Sequence, residues 1–318
     1  MGGNSMRRDL EFGLDVGVYG RLALPKEVMK LARLAENEGF QSVWLADHVV
    51  FPTTVASQYP YSPDGKFPVP LDELLLEPIA TMGVLVGATQ RVKIGTAVLV
   101  IPYRNPILLA RMLATLDQFS NGRIILGAGV GWLAEEFSAL DTFDFAKRGQ
   151  VTDEYLEIFK AICAGGEVAY EGDTYHFDPV HSQPPSVQRP HPPILVGGTS
   201  KRALQRVARL ADGWLSVGLG LDALTKKLAD LRTACDMAGR TYDDLSLHHK
   251  LFINIGQAMV GKDGGRVPGT GSLEQIINDF RRVRDLGYDG FIVRYIGEDA
   301  SEQQDQIARF AAEIVPKI

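Results

Sequence analysis

The sequence predicts an α/β protein built as a closed (β/α)8 barrel, and three observations carry that expectation. Short β-branched apolar runs bounded by Gly, Asp or Pro alternate with amphipathic segments of helical period along the whole chain, which is the pattern of βα units on a parallel sheet. Eight such repeats in 318 residues fit a closed TIM barrel better than an open doubly wound sheet. A hydrophobic fraction of 45% over that length supplies a core of the size such a barrel needs.

In chain order the strands are expected at 11–17, 42–47, 92–100, 123–130, 193–198, 213–217, 245–255 and 290–296. The helices are expected at 25–38, 77–88, 106–119, 149–164, 200–210, 222–238, 272–285 and 301–315. Pro25 and Pro106 suit a first helical turn, where the missing N–H has no partner to lose, and Ser272 with Gln275 has the spacing of a capping box. Gly39, Gly239 and Gly287 each follow a helical run and suit the left-handed residue that closes a helix.

The chain 1–318 reads as one domain with three segments that break its rhythm, at 49–73, 165–192 and 257–271. The first and third follow strands directly, which puts them at the C-terminal mouth of a barrel, where they are expected to wall a pocket. The second follows a helix, so periodicity does not fix its place, and its prolines make it extended and semi-rigid.

Composition excludes several function classes. Lys and Arg number 33 against 39 Asp and Glu, for a net charge of −6, and no basic run exceeds a pair, so a footprint for nucleic acid or an anionic membrane is missing. No stretch approaches the roughly 18 apolar residues that span a bilayer, and the first residues lack a signal-peptide core, so a cytoplasmic protein is expected. Cys163 and Cys235, each inside a helical pattern, are expected to be buried rather than bonded to each other or to a metal. His248 and His249 are adjacent in a strand and point to opposite faces, so they cannot share an ion, and no metal site is expected.

Residues that can carry chemistry cluster at predicted strand ends. Asp47 and His48 put a carboxylate and an imidazole at the mouth, able to bind a cofactor or trade a proton. The alternative is that Asp47 caps a turn and His48 packs under the insertion. Gly127-Ala128-Gly129-Val130-Gly131-Trp132 lets a flat ring approach the backbone beside an aromatic wall, or belongs to a crowded barrel interior. Gly197-Gly198-Thr199-Ser200 runs from a strand into a helix and offers backbone N–H groups and a positive helix end to a phosphate, although glycines also permit a plain tight corner. One of Glu135 and Glu136 is placed to reach the site, with the other in solvent. Lys250 is expected on the outer face or rim, the alternative being a Schiff-base lysine, and Arg294 either meets an anion or forms a rim salt bridge. No G-x-S-x-G elbow, Walker loop or G-x-G-x-x-G opening a βαβ unit occurs, which leaves the chemistry to a bound cofactor.

Three stretches, LAENEGFQSVWLADHVVFP, then EPIATMGVLVGATQRVKIGTAVLVIPYRNPILLARMLATLDQFSNGRIILGAGVGWLAEEF, then PPILVGGTSKRALQRVARLADGW, resemble the luciferase-like monooxygenase superfamily. Within it they are similar to the actinobacterial coenzyme F420-dependent oxidoreductases. The resemblance implies a barrel of the bacterial-luciferase type holding coenzyme F420, or alternatively FMN, at the strand C-termini. It implies an enzyme that moves a hydride between the deazaflavin and a small organic substrate, with a cis peptide at Ala97-Val98 against the ring. By the same resemblance Asp47 and His48 lie near the reactive edge, Val130, Gly131 and Trp132 lie beside the ring, and Gly197, Gly198, Thr199 and Ser200 meet the cofactor phosphate. Two departures stand out: Trp132 takes the catalytic place of a proton-donating Glu, and Val130 that of the phosphate-binding Arg of bacterial luciferase. The other readings are an FMN-dependent monooxygenase, which needs oxygen and a partner flavin reductase, and a flavin-binding protein without turnover. The dimers common among relatives imply a homodimer.

Overall fold

In the computed structural model, residues 9–60, 65–67, 69–261, 264–297 and 299–318 are described. The elements run β1 (Glu11–Asp15), α1 (Pro25–Asn37), β2 (Ser42–Leu45), α2 (Pro78–Ala88), β3 (Lys93–Thr96), β4 (Leu99–Val100), α3 (Pro106–Ser120) and β5 (Ile124–Gly129). They continue with α4 (Ala134–Ala139), α5 (Arg148–Ala164), β6 (Gly166–Glu171), β7 (His176–Ser182), β8 (Ile194–Gly197), α6 (Lys201–Leu210), β9 (Gly213–Val217) and α7 (Leu221–Ala238). β10 (Ser246–Ile255), β11 (Thr270–Gly271), α8 (Leu273–Arg284), β12 (Gly290–Tyr295) and α9 (Ala300–Arg309) complete the chain.

Parallel pairing runs β1–β2–β3–β5–β8–β9–β10–β12 and back to β1, closing an eight-stranded barrel. Inside it, Trp44, Ile125, Leu195, Leu215 and Ile292 form an apolar layer under the mouth. Trp44 fits because its neighbouring strands carry Gly13 and Gly95, where an added Cβ would come within 2.3 and 2.5 Å of the indole. The helices bury their apolar faces on the outside of the barrel, so nearly every position of the barrel strands is buried on one face or the other.

Start and stop signals act as the sequence predicts. Ser272 and Gln275 form the reciprocal capping box of α8, and Gly39, Gly239 and Gly287 all take positive φ. The expected strand 92–100 is divided in two: the Ala97–Val98 peptide is cis, so β3 ends at Thr96 and β4 resumes at Leu99. Helix α4 is an addition that the periodicity did not predict, since six residues are too few to show a helical period.

Two of the rhythm-breaking segments depart from expectation. Segment 165–192 is no plain extended strap: β6 and β7 pair antiparallel into a hairpin whose Tyr170 and Phe177 stack with centroids 6.4 Å apart. It is pinned along α3 by Arg111 on the Pro184 carbonyl and by Gln188 on Asp117, and its turn meets Gln150 at the cavity's edge through Asp173. Segment 257–271 does not wall the cavity among the described residues. β11 pairs with the end of β10, and Arg266 grips Asp279 of α8 at 2.6 Å, which folds this segment outward. Residues 262 and 263 of it lie outside the described residues.

Candidate active site

A cavity of about 1430 Å³ opens at the C-terminal ends of the strands, bordered by residues that follow or end β2, β3, β5, β8 and β9 and by Lys250 and Phe252 within β10. Asp47, His48, Ala97, Val98 and Val130 line it, as the sequence expects. So do Gly131, Trp132, Gly197, Gly198, Thr199 and Ser200. The structure therefore brings every predicted site residue to one place.

Asp47 and His48 follow one another just after β2, yet their side chains find different partners. His48 Nδ1 lies 2.7 Å from Glu136 Oε2, and both side chains are buried. The same carboxylate accepts the Val49 and Val50 N–H groups on Oε1, at 2.6 and 3.1 Å, and the Tyr103 hydroxyl on Oε2 at 2.8 Å. Burial by itself raises the pKa of Glu136, but the hydrogen bond and charge of His48, with the Val49 N–H and the Tyr103 hydroxyl, outweigh it and hold the acid below its usual range. An anion fixed on Nδ1 orients the ring and leaves Nε2 for exchange with a guest. Of the expected pair, Glu136 is thus the one that reaches the site. Glu135 is not left in solvent: it accepts the Ala56 and Ser57 N–H groups at 2.7 and 3.0 Å and anchors the 49–73 segment.

Asp47 borders the cavity, yet both its oxygens are engaged. Arg104 grips it with two bonds of 2.7 and 2.9 Å, and the Val100 N–H donates to it at 2.8 Å. Burial pushes this carboxyl up in pKa, and the guanidinium and the N–H oppose that push. Asp47 thereby ties the end of β2 to β4, while the orienting partner of His48 is Glu136.

The 49–73 segment supplies an aromatic cover. Phe51 packs on the His48 ring with centroids 4.7 Å apart, Phe67 stacks on Trp132 at 5.8 Å, and Tyr59 meets Trp132 edge-on at 5.0 Å. Trp132 itself stands nearly perpendicular to His48 at 6.0 Å. Residues 61–64 and 68 of this segment lie outside the described residues. Along the opposite edge, Arg148 donates to the Gly131 carbonyl at 3.2 Å, bracing the turn that carries Trp132. The Ser200 hydroxyl caps α6 by accepting the Ala203 N–H, and the Gly198 carbonyl accepts the Trp214 indole N–H at 2.9 Å.

Lys250 departs from the expected outer-face or rim position. The register of β10 turns residues 248, 250 and 252 inward, and the Lys250 ammonium meets the buried Asp15 carboxylate while bordering the cavity. Arg294 joins the same carboxylate at 3.4 Å and lies over the Tyr19 ring at 4.8 Å. Burial raises the pKa of Asp15, but Lys250, Arg294 and the Gly17 N–H overcome it and hold the acid low. No group of three or more metal-ligating side chains occurs among the described residues, and no helix among them is long and apolar enough to cross a membrane.

Residues 13–259 match the luciferase-like monooxygenase family. The chain belongs to that family. Members are oxidoreductases or monooxygenases, which fits a barrel whose mouth holds an oriented imidazole under an aromatic cover. An uncharacterized Mycobacterium tuberculosis protein is 30% identical over 292 residues, covering 91% of this chain and 94% of that one. The FMNH2-dependent dimethylsulfone monooxygenase of Pseudomonas putida is 27% identical over 236 residues, covering 74% of this chain and 58% of that enzyme. Among solved structures, an F420-dependent secondary alcohol dehydrogenase in complex with an F420–acetone adduct superposes with a TM-score of 0.80 at 17% identity, covering 97% of this chain and 99% of that one, a likeness of fold.

Within this luciferase-like barrel, sequence reasoning missed Tyr103, Arg104 and Arg148 because each acts through a partner distant in the chain. Arg104 stands 57 residues from Asp47, and Tyr103 stands 33 from Glu136. The one readable signal was the Glu135-Glu136 pair on the turn after Trp132.

Proposed function

We propose that this luciferase-like protein is a coenzyme F420-dependent oxidoreductase that transfers a hydride between the deazaflavin and a small organic substrate, with His48 handling the accompanying proton. The observation that carries the reading is the buried Glu136 carboxylate on His48 Nδ1, because interconverting an alcohol and a carbonyl needs an oriented acid–base group at the substrate oxygen. The cavity residues fit a flavin-type group. Val98, Gly129 and Gly131 make a wall of low relief, and Gly197 to Thr199 lead into the N-terminus of α6, with Arg148 and Arg202 also bordering the cavity. Bound there, the deazaflavin supplies the hydride acceptor or donor. The chain supplies the rest: Gly197, Gly198, Thr199 and Ser200 hold the phosphate, Ala97, Val98, Val130 and Gly131 support the ring, and Trp132 with Phe67 excludes water. His48 Nε2 accepts or donates the proton, and Asp47 fixes the wall through Arg104.

A second reading, an FMN-dependent monooxygenase served by a flavin reductase, is favoured by the 27% identity to the FMNH2-dependent dimethylsulfone monooxygenase. A homodimer belongs to the same proposal and is checked by sedimentation. The deciding experiment is a pair of equilibrium titrations, with coenzyme F420 and with FMN, followed by cofactor fluorescence at fixed salt. Micromolar or tighter binding of the deazaflavin alone supports hydride transfer, a preference for FMN moves the assignment to the monooxygenase, and binding of neither overturns both.

A further inference from the structure

The order of strands around the barrel places Asp15, Lys250 and Arg294 together on one side of the mouth. With eight positions in the closed ring, the β10 position faces β3, the β12 position faces β5, and β1 faces β8. The wall proposed to hold the cofactor, at Ala97-Val98, Val130-Gly131 and Gly197-Ser200, therefore stands across the cavity from Lys250, Arg294 and Asp15. His48, after β2, stands between the two walls.

The charged wall is unbalanced. Asp15 is 1% exposed and meets both Lys250 and Arg294, so two cations share one carboxylate and a single positive charge is left over. Among the described residues, the other acids at the cavity are already committed: Asp47 to Arg104, Asp153 to Arg206 and Arg209, and Glu136 to His48, Tyr103 and two backbone N–H groups. Arg294 lies over the Tyr19 ring and does not border the cavity, whereas Lys250, 5% exposed, does. An ammonium has three N–H donors, so its contact with Asp15 leaves donors for a guest. A buried charge without a counter-ion is costly, and a monoanion removes the imbalance where a dianion would reverse it. The same cavity is bordered by Phe252 and by the rings of Tyr19, Phe67 and Trp132, which pack one on the next, and these surfaces suit a guest whose remainder is apolar.

We propose that Lys250, positioned by Asp15, is the substrate-binding cation of this site, and that the substrate is a monocarboxylate on an apolar or aromatic body whose reacting carbon lies toward His48. The proposal rests on the reading of the cavity as an oxidoreductase site, but its test does not depend on a bound cofactor.

Benzoate, benzyl alcohol and phenyl phosphate serve as probes of matched size and differing charge. Binding to the whole protein is followed by the fluorescence of Trp132, which borders the cavity while Trp44 and Trp214 are fully buried. Inorganic phosphate is kept present to fill the Gly197–Ser200 corner. The expected result is that benzoate binds about tenfold or more tightly than benzyl alcohol at low salt. Lys250→Arg keeps that preference and Lys250→Met abolishes it without weakening benzyl alcohol. Asp15→Asn, which adds one net positive charge, shifts the preference from benzoate toward phenyl phosphate. Equal binding of benzoate and the alcohol in the native protein overturns the proposal, and so does a preference that survives Lys250→Met in a folded variant. A failed cofactor titration beside an intact benzoate preference would remove the oxidoreductase reading alone.

Discussion

A histidine becomes a directed proton carrier when something fixes which of its nitrogens faces the reactant, and Glu136 does this for His48. Replacing it with Gln keeps the volume but removes the charge that favours an Nδ1–H. Turnover of Glu136→Gln is expected to fall by about 10²-fold or more with KM little changed, and the variant to melt earlier, because the amide sets N–H groups against donors that the carboxylate accepts, as steady-state kinetics beside a melting curve will show. Asp47→Asn acts on the fold alone. It strips Arg104 of a buried partner and is expected to cost about 3 kcal/mol of unfolding free energy in urea titrations. Both carboxylates were visible in the sequence, at a strand end and on the turn after Trp132, but their partners were not. The sequence brings Asp47 next to His48, whereas the fold gives them different partners, Arg104 and Glu136, and a partner 88 residues away leaves no periodic trace.

The alternation of β10 was legible and separated His248 from His249, but the alternation alone did not say which face was the barrel interior. His249 is fully buried, its Nδ1 lies 2.7 Å from the Ser216 hydroxyl, and burial pulls its pKa from 6.5 down to about 4. As pH falls below about 6.5 the unfolded chain takes up a proton there, and the native state does not until about 4. Protons therefore favour unfolding across that window, by on the order of 3 kcal/mol in all. Urea midpoints measured from pH 7 to 4.5 should fall accordingly, and His249→Phe should flatten the slope. The depressed carboxyls of Glu136 and Asp15 act in a lower window: their stabilisation is complete above the ordinary carboxylate pKa and is lost as pH falls through their native values. The inserted segments were the least legible elements. Their placement is decided by single long-range grips, Gln188 on Asp117 and Arg266 on Asp279, which no local pattern announces.

At the scale of the molecule, eight repeats of strand and helix announced the barrel because each repeat is a local pattern. Closure, by contrast, is a property of pairing, and it decides which walls face each other. The proposed cofactor wall is assembled from β3, β5 and β8, elements up to about a hundred residues apart, so a bound ring and phosphate hold those strand ends together and stabilise the whole fold. At a hundred times its Kd such a ligand adds about 2.7 kcal/mol, which for a chain of this size raises the melting temperature by roughly 5 °C. Gly131 tests whether the ring wall lies where we place it. Its φ is +80° and an added Cβ would come 2.7 Å from Phe137 Cε2 and 2.8 Å from Val100 Cγ1, so Gly131→Ala forces the turn before Trp132 to move. The variant is expected to melt somewhat earlier without cofactor and to lose most of the cofactor-dependent rise. A rise of native size in Gly131→Ala would mean that the ring binds elsewhere in the mouth, and the assignment of Val130 and Gly131 to it would fall.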